Sequence, residues 1–108
     1  MAGVSEPQFL YLTTTGWRTG KEHRIEIWFV ELAGHYYVMS EQGKSAHWAK
    51  NILHNESVSF SVAARTFQGS ARMIEPASEP YLAAAVARLM KDKYGWDSGM
   101  IFELAPGP

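Results

Sequence analysis

Two stretches of this chain carry the side chains that could do chemistry. From Thr13 to Arg24, hydroxyls and cations crowd together at Thr13, Thr14, Thr15, Arg18, Thr19, Lys21, His23 and Arg24. A second group follows at Ser40, Gln42, Gly43, Lys44 and Ser45. The chemistry they suit is anion binding. Guanidinium and ammonium groups form charge-assisted hydrogen bonds to phosphate or carboxylate. Lys44 and Ser45 also stand just before a helix whose leading N–H groups carry partial positive charge. The two groups are expected to meet in the fold and clasp one negatively charged ligand. Taken singly, Arg18 and Lys21 read better as solvated turn residues, and Ser45 as a helix cap alone; only together do they point to a site.

Other chemistries find little support. There is no cysteine, which removes disulfides, thiolate metal sites and a cysteine nucleophile. His23, His35, His47 and His54 are scattered, and although His47 and His54 fall near one helical face, nothing completes a metal shell, so no metal is expected. No Gly-x-Ser-x-Gly elbow or apolar carboxylate pair argues for hydrolysis. Gly43-Lys44-Ser45 resembles the end of a phosphate-binding P-loop, but the first glycine and the strand-spaced lead are missing.

The bulk numbers narrow the class further. At 108 residues the chain is expected to form one domain spanning 1–108. Ten Lys and Arg stand against eleven Asp and Glu, a net charge of −1, which argues against nucleic acid as a partner. The apolar runs are too short to span a bilayer, and MAGVSEPQ has no cationic segment followed by an apolar one, so a cytoplasmic protein is expected. Aromatics are the unusual feature at 13% of the chain, and rings in such number bury against a core, another subunit or a planar ligand. Trp48 reads as a plug holding a short helix to the core. Trp28, beside Glu26 on the polar side of its strand, reads as meeting a second subunit or a ring ligand. Tyr94 and Trp96 either line a cleft or stabilise the end of a helix.

The elements that must position these residues follow from periodicity. Residues 1–8 read as a loose lead-in. Phe9 to Thr14 alternates as a strand, Gly16 to Gly20 turns, and Lys21 to Val30 alternates again, with Ile25, Ile27 and Phe29 on one face. Ala33-Gly34 turns the chain into a third strand, His35 to Ser40. Ser45 is expected to cap a short helix reaching about Leu53. Val58, Phe60 and Val62 alternate with serines in a fourth strand, and Thr66 to Ile74 makes a fifth, whose Gly69-Ser70-Ala71 permits a close neighbour. Pro80 starts a longer helix with a Leu82, Val86, Leu89, Met90 stripe, Gly95 stops it, and Met100 to Leu104 is the last strand. The class expected is mainly β with α: a six-stranded antiparallel barrel with one short and one longer helix.

Leu12-Thr13-Thr14-Thr15-Gly16-Trp17-Arg18-Thr19-Gly20-Lys21, followed by Arg24, resembles the signature of the deazaflavin-dependent nitroreductase family. Trp48-Ala49-Lys50-Asn51 is similar to that family's Trp-x-x-Asn helix, and Lys93-Tyr94-Gly95 resembles its tyrosine near the C-terminal helix. The resemblance implies a split β-barrel of the pyridoxamine-phosphate-oxidase-like kind, a homodimer, and a cofactor that is F-420 deazaflavin or, alternatively, FMN. The implied reaction is hydride transfer to a nitro compound, quinone or similar acceptor, with the cofactor carrying the chemistry. Carried over, Arg18, Thr19, Lys21 and Arg24 would hold the phosphate or acidic tail. Ser40, Gln42, Gly43, Lys44 and Ser45 would line the other wall, with Trp48 and Asn51 fixing the helix behind it. Tyr94 or Trp96 would border the acceptor pocket, and the tyrosine hydroxyl would donate a hydrogen bond to reduced product. Trp17 departs from the pattern, standing where the family usually has a basic residue. Two other classes remain: a non-catalytic split-barrel protein binding a flavin, haem or other ligand, and a structural partner domain with no ligand.

Overall fold

The computed structural model describes residues 7–107; of the lead-in expected over residues 1–8, positions 1–6 lie outside them. The chain runs β1 (Phe9–Thr15), β2 (Glu22–Leu32), β3 (His35–Ser40), a 3-10 turn (Gly43–Ser45), α1 (His47–His54), β4 (Ser57–Val62), β5 (Arg65–Met73), α2 (Pro80–Tyr94) and β6 (Met100–Pro106). The six strands close into an antiparallel barrel in the order β1-β2-β3-β6-β5-β4, with β4 pairing back onto β1 in the register Leu12↔Phe60. The mainly-β barrel with one short and one longer helix is therefore the fold. No helix among the described residues is long and apolar enough to cross a membrane.

Two apolar clusters hold the barrel. Period-two alternation points Leu10, Leu12, Val38, Phe60, Phe102 and Leu104 into the interior, each at most 1% exposed. The alternate residues of β3 and β6 do not meet water either. Tyr37, Met39 and Ile101 pack outside the barrel against Ala83, Val86 and Met90 of α2. This explains why β3 carries no polar alternation: it is buried on both faces. The α2 stripe is slightly rotated from expectation, with Ala83 buried beside Val86 and Met90, and Leu82 and Leu89 at its flanks.

Small residues act where expected. A Cβ on Gly69 would run into the Ala105 carbonyl oxygen, so β5 and β6 approach too closely for any other residue. Gly95 ends α2 at φ 73°, a left-handed cap. Ser45 is a correction. It is not the cap of α1: its hydroxyl donates to the Gln42 carbonyl at 2.6 Å, and Ala46 occupies the cap position with no side-chain bond. The serine closes the 3-10 turn before the helix instead.

One charged network sits behind α2. Glu103 of β6 is 7% exposed. It accepts from the Tyr37 hydroxyl at 2.7 Å and from Arg72 Nε at 2.9 Å, and lies 3.3 Å from His35 Nδ1. Arg72 then forks onto Glu79, the residue capping α2, at 2.7 and 3.0 Å. Burial pushes the Glu103 carboxyl up, but the bonds from Arg72, Tyr37 and His35 outweigh it and hold it below the usual range. A depressed folded value stabilises the fold above the unfolded value of about 4.3 and is lost as pH falls through the folded one. Thermal melts should therefore show the wild type losing stability below about pH 5. Glu103→Gln should cost about 2 kcal/mol near neutrality and flatten that acid-side slope, leaving only the share due to Glu79.

Candidate functional site

The first hairpin ends in a turn bounded by Gly16 and Gly20, the latter at φ 74°, a backbone conformation that favours glycine. Gly16 N–H donates to the Lys21 carbonyl at 2.7 Å and Gly20 N–H to the Gly16 carbonyl at 2.8 Å. A Cβ on Gly16 would lie 3.0 Å from both His23 Nε2 and Thr19 Oγ1, so those side chains would have to shift to admit one. The turn is tied to α1 by one amide. Asn51 Nδ2 donates to Thr14 Oγ1 at 2.9 Å, and its Oδ1 accepts from Trp17 N–H at 3.0 Å. Thr14 and Asn51 are 1% and 4% exposed, so the bond between them is shielded from water, while the bond to Trp17 N–H is partly buried. On its other side α1 buries Ala49 and Ile52 in the barrel, and Trp48 stands edge-on to Phe102 at 5.1 Å.

Between hairpin and helix lies a cavity of about 540 Å³, lined by Gly16, Trp17, Arg18, Thr19, His23, Arg24 and Ile25 from one side and His47, Trp48, Lys50 and Asn51 from the other. Three permanent cations and two imidazoles face it with no carboxylate among the lining residues. In a chain of net charge −1 this is a local segregation of positive charge, which focuses potential on an entering anion. The cations are braced by rings. Arg18 lies 4.5 Å over Trp17, Trp17 stacks on His54 at 4.8 Å, and Arg24 lies 4.5 Å over Tyr11.

A second cavity, about 460 Å³, continues along the same strand: Ile25 lines the first, Glu26 and Ile27 the second, joined there by Phe9, Trp28, Met39, Glu41 and Trp96. Trp28 stacks on Tyr94 at 4.4 Å with the planes 4° apart, and Trp96 meets Trp28 edge-on at 6.2 Å.

The structure brings Arg18, Thr19, Arg24 and Trp48 of the expected site into the first cavity. It does not bring Lys21, Ser40, Gln42, Gly43, Lys44 or Ser45 there. Lys21 lies in the same turn, its N–H on Thr19 Oγ1 at 3.2 Å. Ser40 donates to the Gly43 carbonyl at 2.7 Å, and both residues line a third cavity, about 350 Å³, beside Met100 and Ile101. Gln42, Lys44 and Ser45 line none of these three. The second wall is thus the polar face of α1, because the 3-10 turn and the extended Ala46 (ψ 139°) set the loop apart from the helix. Lys50 was the residue sequence reasoning passed over, and His47 was weighed only as a metal ligand, yet the signal was present: His47, Lys50, Asn51 and His54 recur at the spacing of one helical face.

Tyr94 is also placed differently. Its hydroxyl accepts from Phe29 N–H at 3.0 Å and lies 2.8 and 2.9 Å from the Gln8 and Phe29 carbonyls. It lines neither cavity, and it acts as a strut under Trp28 rather than as a hydroxyl held out to a product.

A closed six-stranded antiparallel barrel with α1 and α2 laid on it is the architecture of the split-barrel proteins. The chain belongs to the F420H2-dependent quinone reductase family, whose model matches residues 3–97. Similar solved structures share the fold. HutZ, the haem storage protein from Vibrio cholerae, has a TM-score of 0.76 at 24% identity over 95% of this chain and 84% of its own. An F420-H2-dependent reductase named FDR-A has a TM-score of 0.61 at 23% identity over 96% of this chain and 99% of its own. A further F420 reductase has a TM-score of 0.70 at 16% identity over 95% and 89%. No curated protein matches the sequence.

Removing the Asn51 amide leaves the buried Thr14 hydroxyl and the partly buried Trp17 N–H without their partner. Asn51→Ala should therefore lose about 2–3 kcal/mol in urea unfolding. Near-native Asn51→Ala protein should also show faster amide exchange across residues 16–21 than the wild type.

Proposed function

We propose that this protein is a deazaflavin-dependent reductase that grips F-420 by its anionic tail between the first hairpin and α1 and delivers a hydride to an electron-poor acceptor such as a quinone or nitro compound. The observation that carries this reading is the carboxylate-free cavity of Arg18, Arg24 and Lys50, in a chain of the F420H2-dependent quinone reductase family. The donor set fits the group. F-420 ends in a phosphate and glutamyl carboxylates, a row of negative charges. Three cations and two imidazoles match such a row better than the single phosphate of FMN, the alternative cofactor.

When bound, the deazaflavin supplies the hydride. The protein supplies the placement. Arg18, Arg24 and Lys50 would hold the tail oxygens by charge-assisted hydrogen bonds, with the Thr19 hydroxyl beside them and Lys21 at the outer end of the turn. Trp48 and Asn51 keep α1 against the barrel, so the cations are positioned before the ligand arrives. Ser40, Gln42, Gly43, Lys44 and Ser45 stay in the reading as a loop whose backbone N–H groups would meet the ring system. The aromatic cavity farther along β2 would receive the acceptor. The reading takes the chain as a cytoplasmic homodimer: the absence of cysteine suits a reducing compartment, and exposed rings such as Tyr11 and Tyr81 suit a subunit contact.

A second reading, a non-catalytic barrel that binds the same ligand, is favoured by one observation: the Tyr94 hydroxyl is bonded to backbone. Mixing the protein with reduced F-420 and menadione while following deazaflavin absorbance separates the two. The reductase reading expects menadione-dependent oxidation; saturable binding without turnover would select the second. Arg24→Ala and Lys50→Ala should each weaken F-420 binding about tenfold by calorimetry, and unchanged affinity in both would remove the tail site.

A further inference from the structure

The second cavity has a charge character opposite to the first. Two carboxylates, Glu26 and Glu41, line it, and no Lys or Arg does among the described residues. Its walls are aromatic and preset. Trp28 and Trp96 stand at 70° to one another, forming a corner, with Phe9 on the same cavity. Trp28 cannot easily tip, because Tyr94 is stacked beneath it, and Tyr94 is itself pinned by the backbone of Gln8 and Phe29. Glu26 is steadied by the Tyr11 hydroxyl at 3.3 Å. Of the neighbouring cations, Lys93 is held by the carbonyls of Pro7 and Phe29, and Arg24 lies over the Tyr11 ring and lines the first cavity; neither lines this one.

We infer that this cavity selects a flat organic cation, of the N-alkylated heteroaromatic kind, over an anionic ring of the same size. A ring face laid against an indole gains stacking whatever its charge. A positive ring gains further from the indole quadrupole and from two carboxylates, each worth a few-fold in affinity at a solvated site. A sulfonated or carboxylated ring meets both carboxylates as like charges. The two cavities thus sort ligands by sign along one strand: anions beside Arg24, cations beside Glu26. That the bound cation is also the hydride acceptor rests on the deazaflavin reading; the binding preference does not.

The test uses the full chain carrying Arg24→Ala and Lys50→Ala and no added cofactor, so that the anionic probe cannot take the first cavity and failure is distinct from a failure of the F-420 site. N-methylquinolinium and 2-naphthalenesulfonate, flat probes of similar size and opposite charge, are each titrated by calorimetry at low salt. N-methylquinolinium should bind saturably and at least about tenfold more tightly than the sulfonate. Glu26→Gln with Glu41→Gln should bring the two probes to within about twofold, and Glu41→Lys should favour the sulfonate. Trp28→Ala should weaken N-methylquinolinium binding about tenfold, with circular dichroism confirming that each variant folds. The inference is overturned if the sulfonate binds as well as the cation, if neither binds, or if the preference survives in the folded double variant.

Discussion

The site depends on one buried amide. Asn51 offers a donor at one end and an acceptor at the other, and each finds a partner on the first hairpin: the Thr14 hydroxyl and the Trp17 N–H. The Trp17 N–H needs an acceptor and the Thr14 hydroxyl can take either role, so the amide answers both without placing a charge inside the fold, as a carboxylate accepting from both would. Because the Thr14 bond is buried and the Trp17 bond partly so, leaving these groups without the amide would be costly. This fixes the distance between the turn and α1, and the cavity that carries the cations is what remains between them.

Everything that makes this amide effective comes from the barrel. Strand pairing of Thr13, Thr14 and Thr15 with Arg24, His23 and Glu22 sets the turn in register, so that Arg18 and Arg24 reach the same cavity. Burial of Ala49 and Ile52 on one side of α1 leaves His47, Lys50 and Asn51 for the other. The second apolar cluster, under α2, performs the same service for the aromatic cavity. It seats the end of α2 so that Tyr94 reaches the backbone of β2 and props Trp28 from below. Each cavity therefore hangs on one helix held to the barrel by side-chain hydrogen bonds, and β2 lends residues to both.

Much of this was legible in the sequence. Serine alternating with Val58, Phe60 and Val62 has one meaning, a strand with a single buried face, and Ala33-Gly34 between two alternating runs has another, a tight hairpin. The cationic turn was legible for the same reason: Gly16 and Gly20 bracket it, and Arg18, Thr19 and Arg24 fall where a hairpin end places them. What was not legible was the loop after β3. Ser45 before an alanine- and lysine-containing helix is what a cap looks like, yet local bonding to Gln42 formed a separate turn, a competition between side chain and backbone that propensity does not resolve. Once the loop was detached from the helix, Lys44 lost its place beside Arg18, and Lys50, one turn into α1, took it. The surroundings of Tyr94 were illegible for a different reason. A tyrosine after a helix gives no hint of which backbone groups it will find, since its partners Gln8 and Phe29 are more than sixty positions away in the chain.

The central claim is that negative charge, rather than a ring, is what the hairpin and α1 recognise. The most direct measurement compares F-420 with the same deazaflavin lacking its phosphate and glutamyl tail, each titrated onto the wild-type protein at low and moderate salt. The intact cofactor should bind at least about a hundredfold more tightly at low salt, and the gap should narrow as salt screens the cations. Equal affinities for the two, unchanged by salt, would contradict it.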